Sequence, residues 1–432
     1  MRSLLGLFVD FRDDREFKGM LQAAAYGFFI MFAYYILRAV RDEISAADRG
    51  NLQILWTAVF FVMIFAVQLY SWVASRFSRG VFVPLANRFF IACLVAFWAS
   101  LVFLPEAARP WIDRVFYVWT SVFALFVVTV FWGLVADCFT NDQGKRLFGF
   151  IAIGASVGAI VGSSVTALLA VRVPVFALLL IACVPLEVAS WFATGLHRNF
   201  GTGSVGGAGE EDKPLAGDAW SGMKAVFSSP YLLGIASFIA LMTFASTILY
   251  FAQSDLVYAA MTDRGERTAF LARIDVVVNA LTILFEVYLT ARIIKWLGVG
   301  ITLALVPVAV TAGFVALGLW PTLWTLVIVQ VAYRAGRYGL AKPAREVLFT
   351  VVSREEKYKS KAFIDAAVYR GGDLVSGWIY AGLAAVGLTI GSIALVAAPM
   401  AVLWSVIALR IGRKGEVLAA EVEGAREPAV VG

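Results

Sequence analysis

One histidine, His197, and three cysteines, Cys93, Cys138 and Cys183, are all the soft metal ligands in 432 residues. A lone imidazole at a helix end builds neither a metal site nor a nucleophile–base pair. The cysteines fall in apolar segments and read as small core residues, with no disulfide framework. Charge is scarce too: 15% of residues are Asp, Glu, Lys or Arg, against about 25% in a soluble domain. No G-x-x-x-x-G-K-[ST] occurs, so there is no ATPase phosphate loop. The sequence therefore predicts no metal, no cofactor and no enzyme activity.

What is abundant is apolar surface. Hydrophobic residues make up 61% of the chain, and the mean hydropathy is +0.83. Apolar runs fall near 20–40, 52–73, 83–104, 115–138, 148–170 and 173–196, then near 231–252, 270–291, 299–319, 322–340, 362–386 and 389–411. Each approaches the roughly 20 residues that cross a hydrocarbon core. The expectation is an all-α membrane protein with twelve transmembrane helices in two six-helix halves. The expected parts are an N-terminal segment 1–19, a half 20–197, a linker 198–229, a half 230–412 and a tail 413–432. The linker is the one long hydrophilic break and is rich in Gly and charge, which suits a flexible connection. Its last residues, 219–229, fit a short amphipathic helix on the membrane surface.

Lys and Arg concentrate in alternate loops. Arg12, Arg15 and Lys18, then Arg76 and Arg79, Lys145 and Arg146, Arg198 and Lys213, Arg292 and Lys295, Arg345 to Lys361, and Arg410 to Lys414 fall on one side. The positive-inside rule makes that side, with both termini, cytoplasmic. The net charge of +6 and the pI near 9.2 then reflect basic loops and imply no nucleic-acid partner. The expected setting is a bacterial inner (plasma) membrane, with the bilayer and a small anionic solute as partners and a monomer as the working unit.

The halves look related. KRLFGFIAIGASVGAIVGS from Lys145 lies beside KSKAFIDAAVYRGGDLVSG from Lys359, 214 residues on, with Gly158 meeting Gly372. Two parallel six-helix repeats with cytoplasmic termini are what a major facilitator fold requires.

Charges inside apolar runs are functional candidates by default. Arg38 and Arg41 end the first span at i, i+3 spacing, and Arg334 and Arg337 repeat it in the tenth. Both pairs have two readings: an anion site, since a guanidinium fork matches carboxylate and phosphate, or snorkelling at a helix end. Asp275 and Asn279 stand in the eighth span, as does Glu286, which is either a proton-coupling carboxylate or a structural partner of Arg292. Asp365, Arg370 and Asp373 stand in the eleventh. Asp365 either couples protons or meets the positive end of its helix. Arg370 and Asp373 either neutralise each other or serve substrate and proton. Gly154, Gly158 and Gly162 form a small-xxx-small stripe that predicts close helix packing.

Several of these segments together resemble the ATP/ADP antiporter (nucleotide transport protein) family, within the major facilitators. In that family a tenth-helix segment KYSLFDPxKE precedes a basic loop and KAAIDVVxSRxGK; here stand RYGLAKPARE and KSKAFIDAAVYRGGD, with Pro343, Glu346, Lys361, Ala362, Ile364, Asp365, Arg370 and Gly372 matching. FWG at 131–133, KRLFGFIAIGASV at 145–157 and ILRAVRD ending the first span resemble further family segments. The resemblance implies a divergent bacterial-type member. It also marks departures. Arg41 replaces a lysine, Thr120 and Thr247 stand near expected glutamates, and Asp373 replaces a lysine, which reverses charge. The expected activity is secondary active transport of a small organic anion, a nucleotide or other phosphorylated metabolite, by alternating access. Arg38, Arg41, Arg334, Arg337, Arg370 and Asp373 are the substrate candidates; Glu286, Asp365 and Asp373 are the proton-coupling candidates. The alternatives are a proton-coupled facilitator for a non-nucleotide molecule or amphiphile, and a non-transporting membrane sensor.

Overall fold

The computed structural model describes residues 13–76, 79–200, 219–353 and 363–426, with 356, 360 and 361. The centre of the expected linker, 201–218, the first twelve residues, most of the basic loop 354–362 and the last six residues lie outside the described residues. Among the described residues, fourteen α-helices run in chain order: α1 Asp14–Ala47, α2 Leu52–Arg76, α3 Arg79–Phe103, α4 Arg109–Cys138, α5 Asn141–Leu169, α6 Ala177–Phe200, α7 Ala219–Ser228, α8 Pro230–Ala260, α9 Arg264–Leu284, α10 Thr290–Leu319, α11 Leu323–Gly336, α12 Lys342–Leu348, α13 Tyr369–Ala385 and α14 Ile390–Arg426. Among the described residues, nine helical stretches are long and apolar enough to cross a membrane. One of them, 264–319, takes in α9 and α10 and turns at Gly298, whose φ of 77° only a glycine adopts readily. Two more apolar stretches, 323–348 and 364–385, are broken by π turns and fall outside those nine. Large apolar side chains lie bare along the spans, Phe65 at 70% and Ile328 at 69% exposure. Water would not tolerate so much contiguous apolar surface, and lipid does. The chain is an integral, multi-pass, all-α membrane protein.

Contacts divide the chain into two units. The first comprises residues 1–213 and 261–279. Here α1 packs against α4, α5 and α6, while α3 lies along α6. The glycine stripe sets the α1–α5 approach: Gly154, Gly158 and Gly162 meet the backbone at Ala24, Phe28 and Phe32. A methyl group at 154 would stand 2.6 Å from the Ala24 carbonyl oxygen. The helix starts are specified locally. Asp13 accepts from the Glu16 amide at 2.7 Å, and Thr140 with Gln143 forms a reciprocal capping box on α5. The start of α9 belongs to this unit, with Ala272 packed in one buried cluster with Ala39 and Ala167.

The second unit comprises residues 214–260 and 280–432. Helix α10 runs along α14, with Gly300 facing Gly412, and α8 packs on α13 and α14. Beside the turn at Gly298, Glu416 accepts from the Val299 amide at 3.0 Å. Among the described residues, three π turns interrupt the helices of this unit, at Phe285–Leu289, Arg337–Ala341 and Ile364–Val368. Each carries one extra residue per turn, and such turns are frequent at functional sites. Two of them are tied together: the Thr290 hydroxyl donates to the Gly339 carbonyl at 2.5 Å, with the Phe285 carbonyl at 2.8 Å.

Candidate functional site

Two charge clusters differ in kind. The first lies within the first unit, at the end of α1. Arg38 Nε stands 3.3 Å from Asp275 and 3.7 Å from Asp42, without a well-aligned hydrogen bond. Arg41 donates to Asp42 at 2.8 and 3.1 Å. Their guanidiniums lie over the Tyr35 and Tyr117 rings at 5.4 and 5.7 Å. The Tyr35 hydroxyl donates to Asn279 at 3.0 Å, and the Asn279 amide donates to the Asp275 carbonyl at 2.8 Å. One residue beyond Asp42, the fully buried Glu43 accepts from Arg264 at 2.7 Å and from Arg267 at 2.7 and 3.1 Å. Arg264 also donates to Asp113 at 3.0 Å. Arg114 holds Asp48 at 2.6 Å. Partial burial pushes the Asp48 carboxyl up, but hydrogen bonds from Arg114 and Asn51 outweigh it and hold it below the usual aspartate value. In the pairs named, among the described residues, five arginines thus meet five carboxylates, and their charges sum to zero.

The second cluster lies within the second unit and is not balanced. Arg337 opens a π turn after α11, and among the described residues its guanidinium bonds only to neutral oxygens: Ser246 of α8 at 3.4 Å, Tyr333 at 3.3 Å, and Tyr369. The rings of Tyr333, Tyr338 and Tyr369 surround it at 5.9, 5.4 and 5.3 Å. No carboxylate lies within 4 Å of Arg337 among the described residues. The Tyr333 hydroxyl donates to the Met242 carbonyl at 3.2 Å, which fixes that ring. Arg370, on α13, rests over the Tyr369 ring at 5.8 Å. Asp373, one turn on, has Arg370 and Arg337 as its charged neighbours yet makes no hydrogen bond or ion pair within 4 Å among the described residues. The expected neutralising pair of Arg370 and Asp373 is therefore not closed. Two guanidiniums and one carboxylate leave a net charge of +1 beside three tyrosine rings. Such a lining suits an anion carrying a planar ring: guanidinium forks for the charge, aromatic faces for stacking.

The remaining candidates separate from this cluster. Arg334 is buried in the last turn of α11, three residues before Arg337. Glu286 is exposed within its π turn, where its charged neighbour is Lys342, not the expected Arg292. Asp365, also in a π turn, pairs with Arg345 at 3.8 Å. Glu346 accepts from Lys361 at 2.6 Å and from Arg345 at 3.4 Å. Partial burial pushes the Glu346 carboxyl up, but the Lys361 ammonium and Arg345 outweigh it and hold it below the usual glutamate value. Several positions that carry the sequence resemblance thus form one ion-pair ladder beside the basic loop. Sequence reasoning missed the tyrosines. The i, i+4 spacing of Tyr333 and Arg337, and the adjacency of Tyr369 to Arg370, were the available signals.

No family model matches the chain. Two curated proteins are similar along most of its length. ADP,ATP carrier protein 2 of Chlamydia pneumoniae is 23% identical over 482 aligned residues, covering 92% of this chain and 89% of that one. The protein of the same name from Chlamydia trachomatis serovar D is 22% identical over 454, covering 85% and 82%. Among solved structures, the nucleoside transporter NupG superposes with a TM-score of 0.59 at 13% identity, covering 94% of this chain and 98% of that one. The D-xylose-proton symporter gives 0.63 at 14%, covering 92% and 98%. The POT family transporter PepTSo gives 0.64 at 12%, covering 93% and 98%. The fold is that of the major facilitator transporters.

Proposed function

We propose that this chain, a divergent ADP,ATP-carrier-like protein of major facilitator fold, is a secondary transporter for a small organic anion bearing a planar ring, a nucleotide or another phosphorylated metabolite. The observation that carries the reading is Arg337: its charge meets hydroxyls in place of a carboxylate, inside a ring of three tyrosines, with Arg370 beside it. A cation left without a counter-charge in low dielectric gains most when an anionic ligand supplies one. Arg38 and Arg41, each already on a carboxylate, take a supporting place in this reading. Residues 20–197 and 230–412 would act as the two halves of an alternating-access cycle. The working unit would be a monomer in the inner membrane with both termini cytoplasmic, translocating its substrate chemically unchanged and engaging no nucleic acid.

The test is uptake of labelled ATP into proteoliposomes loaded with ADP. Exchange is expected, and Arg337→Gln should lower its initial rate about tenfold or more, the loss of one charge-assisted contact. Absence of uptake, with no competition by nucleotides or other organic phosphates, would sink the reading.

Asp373 supports a second reading, proton coupling. Its carboxylate stands near two arginines without being claimed by either, so protonating it would raise the net charge of the site from +1 to +2 and favour an anion. Uptake should then rise with an inwardly directed proton gradient, and Asp373→Asn should abolish that dependence while leaving exchange. Equal gradient sensitivity in the variant would remove Asp373 from the coupling.

A further inference from the structure

Arg88 and Glu187 form an ion pair where lipid tails are expected. Helices α3 and α6 pack side by side, and both belong to stretches able to cross a membrane. Arg88 stands nine residues into α3, ~13 Å along its axis at ~1.5 Å per residue. Glu187 stands ten residues into α6, ~15 Å along by the same rise. Yet the Arg88 side chain is 59% exposed and that of Glu187 33%. Their neighbours on the same helices, Leu85, Phe89, Val184 and Trp191, are apolar and exposed. Ionisable groups at such depth almost always face a bundle interior or a watery cavity. This pair faces outward.

The surroundings form a site. Glu187, Trp191, Thr194 and Arg198 follow one another at helical spacing along one face of α6. Trp191, Thr194, Gly195 and Arg198, with Pro84, Leu85 and Arg88 of α3, border an open cleft of about 640 Å³, and Glu187 stands one turn below Trp191, paired with Arg88. The carboxylate is satisfied from within. Glu187 Oε1 accepts from Arg88 Nη2 and from Trp191 Nε1, both at 3.0 Å, and Oε2 accepts from Arg88 Nε at 3.4 Å. That leaves further N–H groups of Arg88 for a ligand. Arg198, in the last turn of α6, is exposed and makes no ion pair within 4 Å among the described residues. The three charges sum to +1.

We propose that this cleft binds an anionic membrane phospholipid. Its phosphate would sit between Arg198 at the helix end and the deeper Arg88, with acyl chains along Phe89 and Val184. Basic pockets between transmembrane helices on the cytoplasmic side suit such headgroups, and an indole at the tail–headgroup boundary suits Trp191. A soluble phosphate offers the same charge, but nothing in it would match the apolar walls above Arg88.

The experiment is thermal unfolding of the delipidated full chain in neutral detergent, with added phosphatidylglycerol, phosphatidylcholine or inorganic phosphate. Phosphatidylglycerol should raise the midpoint dose-dependently, as a ligand of the folded state does, while phosphatidylcholine and inorganic phosphate leave it unchanged. Arg198→Gln should shift the lipid dependence about five- to tenfold to higher concentration, the worth of one basic contact. The double variant Arg88→Gln/Glu187→Gln leaves no charge unpaired, so it should keep its lipid-free midpoint and lose the response; loss in either variant supports the site. Equal response to both lipids, or a full response retained in both variants, overturns it. So does an equal shift with inorganic phosphate, which reassigns the cleft to a soluble anion. A dimer in light scattering that Trp191→Ala turns into a monomer also overturns it, making this face a contact between copies.

Discussion

Glu43 is shared by Arg264 and Arg267 at full burial. Removing one member of a buried charge cluster costs about 3–5 kcal/mol because the remaining charges stay behind without compensation. Glu43→Gln should therefore lower the thermal midpoint in detergent by many degrees. Asp48→Asn, which breaks the pair with Arg114 where both side chains are about a quarter exposed, should cost ~0–1 kcal/mol. Similar midpoints for the two variants would contradict the difference in burial. The residue types were legible in the sequence and the partners were not. Asp275 was visible as a charge in an apolar run, but Arg38 lies 237 positions away in the chain, and periodicity reports which face a residue occupies, never what meets it. Arg264 and Arg267 precede the apolar run at 270–291 and so did not stand out as charges within it, although they repeat the i, i+3 spacing of Arg38 and Arg41.

At the scale of elements, the glycine stripe of α5 was read correctly, because small residues at four-residue spacing have one dominant use in lipid, close approach of backbones. Gly158→Ala should destabilise the protein in the same assay, since its Cβ would run into the Phe28 carbonyl. Such overpacking costs roughly 1–3 kcal/mol. Gly149→Ala, on the same helix with nothing within 4 Å, should be neutral or gain up to about 1 kcal/mol of helix propensity. A harmless Gly158→Ala would mean α1 and α5 are free to separate. The π turns had no comparable signature. A one-residue register shift changes no composition and only slightly blurs the apolar period. So the helices carrying Glu286, Arg337 and Asp365 were placed, while the irregular turns that carry those residues were not.

At the scale of the whole molecule, membrane embedding was legible from apolar run length. The contact units were not legible as such: the start of α9 joins the first unit, through ion pairs that no pattern announces. The two clusters also differ in the work they do against a field. The five-against-five network of the first unit is blind to voltage, because its charges cancel. The Arg337, Arg370 and Asp373 group carries one net positive charge when empty. Moving one elementary charge through a full membrane potential costs about 2.3 kcal/mol per 100 mV. In the proposed exchange that charge crosses once in each direction and cancels over the cycle, so the membrane potential acts on the difference in charge between the entering and the leaving substrate.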